Sequence, residues 1–347
     1  MIKAFIRHGA ISSKVRVLYG RRLTVEDYFE LLKKRTVGEI AAFLKETDAY
    51  KEELSGIDER LVHRGQLENI LHRKLFSEFD KLFHFSYGSD KELLSLMLVR
   101  YEIQQILSFL RYLKSGNTEE FIYTVPEFIM KESKLDFVRI SNAKSFEEFL
   151  KLIEKTPYYK VLKNYKFENE IDSTMIDTFL YSYYYAEFFK GIRKLFNGDM
   201  GNILNRFTGS RIDLVNITRI IRLKKYYNLP PEDITPHILP FNYHLKKDKL
   251  NAMLSAKTPD DVLDIVKTTP YAKLFNEHSF PYIEEYVYEF LYKISRSVMM
   301  SGLSSINIPV AYLNLKEIEQ RNLIAIIEGK RYGLAAEDIK KHLIGIS

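Results

Sequence analysis

The sequence predicts an all-α protein in which one helical module is written three times. Apolar residues recur at spacings of three and four through most of the chain, and strand signals are sparse. One ordered set of landmarks also returns about 110 residues apart, far above the roughly 20–50 residues of ordinary solenoid repeats. Each copy therefore reads as a small domain instead of a single hairpin.

The first landmark is a helix start followed eleven residues later by a polar turn: Thr36 and Thr47, Ser145 and Thr156, Thr258 and Thr269. Three residues after each starting hydroxyl stands an acid, Glu39, Glu148 or Asp261. This is the capping-box arrangement, in which the hydroxyl accepts one orphan N–H of the first turn and the carboxylate reaches back to another, worth about 1 kcal/mol per cap. The second landmark is a glycine expected to end a long aromatic-rich helix, at Gly88, Gly198 and Gly302. Glycine tolerates the left-handed backbone that stops helices. The third is acid-x-x-amide on the following helix: Glu102/Gln105, Asp213/Asn216 and Glu319/Asn322. In the last two copies a lysine, Lys224 or Lys330, follows the amide by eight residues.

Amphipathic spacing predicts helices in VEDYFELLKKRTVGEIAAFLKE (25–46), FEEFLKLIEK and PDDVLDIVK. Residues 59–84, 174–196 and 281–300 read as the long middle helix of each copy, the first weakened slightly by Gly65. FIYTV and INIPVAYL are short apolar runs with proline in or beside them, so they read as loops or helix entries. Polar and proline-rich punctuation around 114–143 and 229–244 places boundaries near 120–135 and 236–246. The expected domains are 1–125, 126–240 and 241–347.

Hydrophobic residues make up 46% of the 347 positions and charged ones 28%, a globular balance that can supply three cores. The 24 Tyr and 23 Phe provide large side chains for helix packing. The absence of Cys excludes disulfides, thiolate zinc sites and cysteine nucleophiles, and fits a reducing compartment. A formal charge of +6 is a mild excess on a large surface, read first as ordinary solvation, though able to assist approach to an anionic partner. No apolar stretch approaches the ~18–20 residues that cross a bilayer. The N-terminal segment lacks an uninterrupted apolar region, so neither a transmembrane segment nor a signal peptide is expected.

Asp260, Asp261 and Asp264 form a DDxxD cluster, the pattern that holds Mg²⁺ against a diphosphate in all-helical prenyl transferases and terpene synthases. The repeat favours another role, because Asp261 occupies the slot of Glu39 and Glu148 directly after a capping threonine. Gly198-Asp-Met-Gly201 has the GxxG form of KH modules but follows a long helix, as a stop would. The His63/His72 and His237/His244 spacings, nine and seven, do not place two imidazoles on one face the way i,i+4 zinc pairs do. In the Tyr181–Phe189 stretch, helical spacing assigns Phe179, Tyr183 and Phe188 or Phe189 to the core. GxGxxG, Walker and GxSxG motifs are absent. No catalytic, cofactor-binding or metal-binding residue is assigned.

The opening IRHGAISSKVRVLYGRRLTVEDYFELLKKRTVGEIAAFLKETDAYKEEL, FEEFLKLIEKTPYYKVL, RIDLVNITRIIRLKKYYNLPPEDI, PDDVLDIVKTTPYAKLF and LNLKEIEQRNLIAIIEGKRYGLAAEDI, taken in their order, carry a resemblance. The chain resembles the C subunit of bacterial and archaeal V/A-type rotary ATPases, the relative of the d subunit in eukaryotic V-ATPases. The resemblance spans essentially the whole sequence and rests on the triplicated order. The first copy has drifted, with Thr47-Asp-Ala-Tyr50 where the others have Thr-Pro-Tyr, and Arg111-Tyr-Leu-Lys-Ser-Gly116 as a degraded helix end. The resemblance implies three similar helical domains in a pseudo-threefold, funnel- or socket-like arrangement. It implies a non-catalytic central-rotor protein that joins the central shaft, made by the D and F subunits, to the membrane-embedded proteolipid c ring. Such a protein transmits torque for ATP-coupled H⁺ or Na⁺ transport, needs no cofactor or nucleic acid, and lies peripherally on the cytoplasmic face. The alternatives are a helical-repeat adaptor for peptide or nucleic acid, and a Mg²⁺-dependent isoprenoid enzyme acting through Asp260, Asp261 and Asp264.

Overall fold

A computed structural model describes residues 2–165, 173–277, 279–302 and 304–346, and every regular element among them is helical. The chain divides into two compact units. Unit 1 begins with α1 (Ile2–Gly20), α2 (Val25–Lys33), α3 (Val37–Glu46), α4 (Lys51–Leu54) and α5 (Arg64–Phe85). Unit 2, residues 87–265, holds the long helices α6 (Gly88–Ser115), α12 (Ser173–Leu195) and α13 (Gly198–Tyr227). Between α6 and α12 run α7 (Thr118–Phe121), α8 (Glu127–Glu132), α9 (Phe137–Ser141), α10 (Phe146–Leu152) and α11 (Pro157–Leu162). After α13 come α14 (Pro231–Ile234), α15 (Lys247–Ser255) and α16 (Pro259–Val266), the last ending at the unit border. The chain then completes unit 1 with α17 (Ala272–Glu277), α18 (Glu285–Met300), α19 (Asn307–Arg331) and α20 (Ala336–Lys340).

The borders at 86/87 and 265/266 fall inside the expected domains 1–125 and 241–347. The reason is a stagger between sequence repeat and packing. The helix that bears the acid-x-x-amide landmark packs with helices of the copy that follows it: α6 on the short α8, α13 on α15, and α19 on the short α3 and the long α5. In unit 1 the core joins Leu31, Ile40, Leu44 and Leu67 to Leu323, Ile326 and Ile327, so the two ends of the chain share one apolar cluster. In unit 2, α6 packs along α12, and Phe109 meets Phe121 edge-to-face and Phe149 at a tilt, at centroid distances of 5.4 and 5.2 Å.

The capping chemistry follows the repeat. The amide N–H groups of Glu39, Glu148 and Asp261 donate to the hydroxyls of Thr36, Ser145 and Thr258, each at 3.1 Å. The reciprocal bond depends on side-chain length. Asp261 accepts from its own cap residue, Thr258, at 2.9 Å. The longer Glu39 and Glu148 reach one residue further back, to the N–H of Arg35 and Lys144, both at 2.8 Å. A further capping box, Thr24 with Asp27, opens α2, and His63 caps α5 by accepting from Gln66.

Three expectations change. Gly88 and Gly198, with φ of +56° and +61°, are the first residues of α6 and α13 instead of the last of the preceding helices. Two helices joined by two residues need one reversal of backbone hand, and here it falls where the later helix begins. On α12 the buried stripe is Ile176, Leu180, Tyr184, Phe188 and Ile192, with Phe179 exposed and Tyr183 only half-buried. A helix aromatic on nearly every side carries little periodic signal to choose between adjacent faces. Finally, α6 is long and apolar enough to cross a bilayer, but 61% of its apolar window is buried within the protein, as in a core helix covered on several sides. The INIPVAYL run enters α19, and FIYTV forms a short helical turn.

Because Asp261 is held by Thr258, Thr258→Ala is expected to lower stability by about 1 kcal/mol in urea denaturation. Asp260→Asn with Asp264→Asn lies outside that cap and is expected to shift the midpoint by less than about 0.5 kcal/mol equivalent.

Candidate functional site: joints between successive repeats

The repeated polar turn has the same geometry in all three copies. Thr47, Thr156 and Thr269 each donate a hydroxyl at 2.7 Å to the carbonyl three residues earlier, of Leu44, Ile153 and Val266. Their backbone N–H groups donate to the same carbonyls. Each turn therefore satisfies a helix end locally and leaves the tyrosine that follows, Tyr50, Tyr158 or Tyr271, buried at 2–4% exposure.

Two of these tyrosines bond the acid of the preceding copy. Tyr158 donates to Glu102 on α6, which also accepts from Ser133 at 2.5 Å. Tyr50 donates to Glu319 on α19 at 2.7 Å, across 269 positions, and the N–H of Leu23 donates to the same carboxylate at 3.3 Å. On α13 the shorter Asp213 takes three backbone donors from one loop: Tyr243 at 3.0 Å, His244 at 2.7 Å and Leu245 at 2.8 Å. Gly209, one turn earlier, makes room for that loop; a Cβ there would lie 2.6 Å from the Cβ of Tyr243.

The amides and lysines complete the joints. Asn216 exchanges two hydrogen bonds with the backbone of Leu239, at 3.0 and 2.9 Å. Asn322 exchanges the equivalent pair with Ile344, both at 2.9 Å. Lys224 donates at 2.8 Å to the carbonyl of Leu254 in the last turn of α15, and Lys330 at 2.5 Å to that of Leu32 in the last turn of α2. A cation is favourable there because carbonyls at a helix C-terminus lack partners. In the drifted first copy Gln105 is half-buried, while Glu102 keeps its bonds.

The joint in unit 1 carries a buried charge network. Lys316 pairs with Glu319, Tyr312 donates to Glu78, and Lys74 bridges Glu53 at 2.8 Å and Glu78 at 3.2 Å. Burial alone would raise the Glu78 carboxyl, but the charges of Lys316 and Lys74 hold it below the usual carboxylate range. Burial pulls the Lys316 ammonium down, and the neighbouring Glu319 and Glu78 more than reverse this. Burial together with Glu319 pushes the Tyr50 phenol well up, so it remains a hydrogen-bond donor.

Of the residues singled out in the sequence, the acids come together with the next copy, both asparagines bond the backbone near the end of their own copy, and Asp261 is engaged in its cap. Among the described residues no group of three or more His, Cys, Asp or Glu converges as a metal site. The donors to the acids were not foreseen, nor was the recurrence of His-x-Leu/Ile at 237–239 and 342–344, a signal visible in the sequence, which presents the backbone partner of each asparagine.

Glu78→Gln is expected to cost about 3–5 kcal/mol at neutral pH, because Lys74 and Lys316 lose a buried counter-charge. The folded carboxyl titrates below its unfolded value, so its contribution is complete above about pH 4.3 and is lost as pH falls through the lower folded value. The stability gap between parent and variant in urea denaturation should therefore narrow in acid. Gly209→Ala, although alanine favours helix, is expected to lose about 1–3 kcal/mol through overpacking against Tyr243.

Comparison with known proteins places the chain in a family. Over 341 residues the chain is 26% identical to the C subunit of the A-type ATP synthase of Archaeoglobus fulgidus, covering 96% of this chain and 95% of the relative. It is 26% identical to the corresponding A-type ATP synthase protein of Methanosarcina mazei, covering 96% and 91%, and 23% identical to that of Methanosphaera stadtmanae, covering 96% and 86%. The ATP synthase (C/AC39) subunit family matches residues 11–342. With that match over almost its whole length, the chain belongs to the ATP synthase (C/AC39) subunit family.

Proposed function

We propose that this chain is the non-catalytic central-rotor connector of a V/A-type rotary ATPase. It joins the central shaft, made by the D and F subunits, to the proteolipid c ring and passes torque between them during ATP-coupled H⁺ or Na⁺ transport. It sits peripherally, on the cytoplasmic face, through its contact with the ring. The names of the relatives, all of them C subunits of A-type ATP synthases, support membership of such a complex.

The observation that carries the reading is the direction of the joints. The landmark helix of the first copy holds the second, that of the second holds the third, and that of the third holds the first. No copy is secured by the covalent chain alone. A coupling must resist rotation of its parts against one another. Saturated buried polar joints supply resistance, since a slip strands several donors and acceptors at about 1–3 kcal/mol each. On this reading the three repeats are three similar domains around a pseudo-threefold axis, and their socket receives the foot of the shaft. The isoprenoid alternative loses Asp261 to its cap.

Tagged at one end and purified from cells in mild detergent, the chain should bring down the proteolipid ring and both shaft proteins. Its deletion should abolish ATP-driven ion transport while leaving ATP hydrolysis by the detached head. Recovery with RNA, or without any rotor protein, would overturn the reading.

A further inference from the structure

Unit 1 encloses a cavity of ≈ 290 Å³ between the α1–α2 corner, α18, α19 and the segment after α20. This is near the lower bound, about 300 Å³, of pockets that take small ligands. The buried polar groups in its lining are matched within the protein. Glu319 is held by Lys316, Tyr50 and Leu23, Asn322 by Ile344, and Tyr312 by Glu78. They contribute shape and no unpaired charge.

The exposed part of the lining differs. Arg22 donates to the carbonyl of Tyr19 at 3.0 Å and lies 4.0 Å from the centre of that ring, with no carboxylate partner among the described residues. Arg296, on α18, has neither an acid nor a hydrogen-bond partner among the described residues. The remaining acid in the lining is Glu26, in the first turn of α2, where the helix dipole already favours its charge. The Thr24–Asp27 box fills the N-cap of the same helix. Two guanidinium groups that pair with no carboxylate among the described residues thus line one cavity, which Glu26 and Glu319 also line. A planar guanidinium matches a carboxylate with two parallel N–H donors, a fit that an ammonium lacks.

We propose that this cavity binds a small carboxylate ligand, held by Arg22 and Arg296, with Tyr19 and Tyr292 packed against its carbon skeleton. The proposal is independent of the rotor reading. The carboxylate arrives either as a free dicarboxylate or as an acidic side chain on a protein segment.

Isothermal titration of the full chain at low salt, with glutarate and separately with a blocked Asp-Glu-Asp tripeptide, tests both sources. We expect one saturable site for at least one probe. Arg22→Gln combined with Arg296→Gln should weaken it by about tenfold or more, as expected for loss of charge-assisted bidentate bonds. Both arginines are exposed, so the double variant should keep the parent's circular dichroism and unliganded melting midpoint. Lys293→Gln removes a neighbouring cation paired with Glu277 outside this cavity and should leave binding unchanged. Glutarate binding assigns a free metabolite, and binding of the tripeptide alone assigns an acidic segment. The proposal is overturned if neither probe saturates, if the double variant binds as tightly as the parent, or if Lys293→Gln weakens binding equally.

Discussion

A carboxylate withdrawn from water costs several kcal/mol unless hydrogen-bond donors replace its lost hydration. Glu102, Asp213 and Glu319 are at most 9% exposed, and each draws most of its donors from the copy that follows it. The acid can be buried at no great penalty only when that copy is seated in register. Apolar packing is non-directional and would tolerate small displacements between helices. A slip of one helical turn, about 5.4 Å, would instead leave a buried anion without partners. The register of each long helix on the next copy follows from that one requirement.

The requirement is met in different ways. The glutamates on α6 and α19 reach a tyrosine hydroxyl, whereas the shorter aspartate on α13 needs a loop brought against the helix, with Gly209 admitting it. The third solution carries the greatest demand, because Tyr50 and Glu319 lie 269 positions apart. Closing a flexible loop of that length costs at most about 5 kcal/mol from the logarithmic term, less once the intervening unit is folded. The shared apolar cluster of α2, α3, α5 and α19 offsets this, and the ions of Lys74, Glu78, Lys316 and Glu319 add direction to it.

What was legible in the sequence is what has local chemistry. Thr36, Ser145 and Thr258 announce helix starts because their partners stand three residues away, and the repeat then separates Asp261 from a metal motif. The landmark acids were visible as a recurring pattern, but Ser133, Tyr158 and Tyr50 were not legible as their donors, since only the tertiary fold brings them together. The same gap explains the unit borders: repeat boundaries follow local punctuation, while packing joins each landmark helix to the next copy. On α12 the failure was of another kind, because Tyr183, Tyr184 and Tyr185 are equally apolar candidates, and only their neighbours on α6 and α13 select Tyr184 and Tyr185.

Buried ion pairs are weak sources of net stability, since desolvation consumes most of their attraction, yet breaking one is costly. That asymmetry makes such a network a better guard of one arrangement than a source of net stability, as the proposed connector role would require. An all-apolar joint between the chain's two ends could match the network of Lys74, Glu78, Lys316 and Glu319 in free energy while yielding to a sliding force. The charged joint yields only by exposing unpaired charges in a low-dielectric interior, where their interaction is strongest. Unit 1 is the place where no covalent link joins the last copy to the first. Buried charge is therefore concentrated at the joint where only non-covalent contacts hold the last copy to the first.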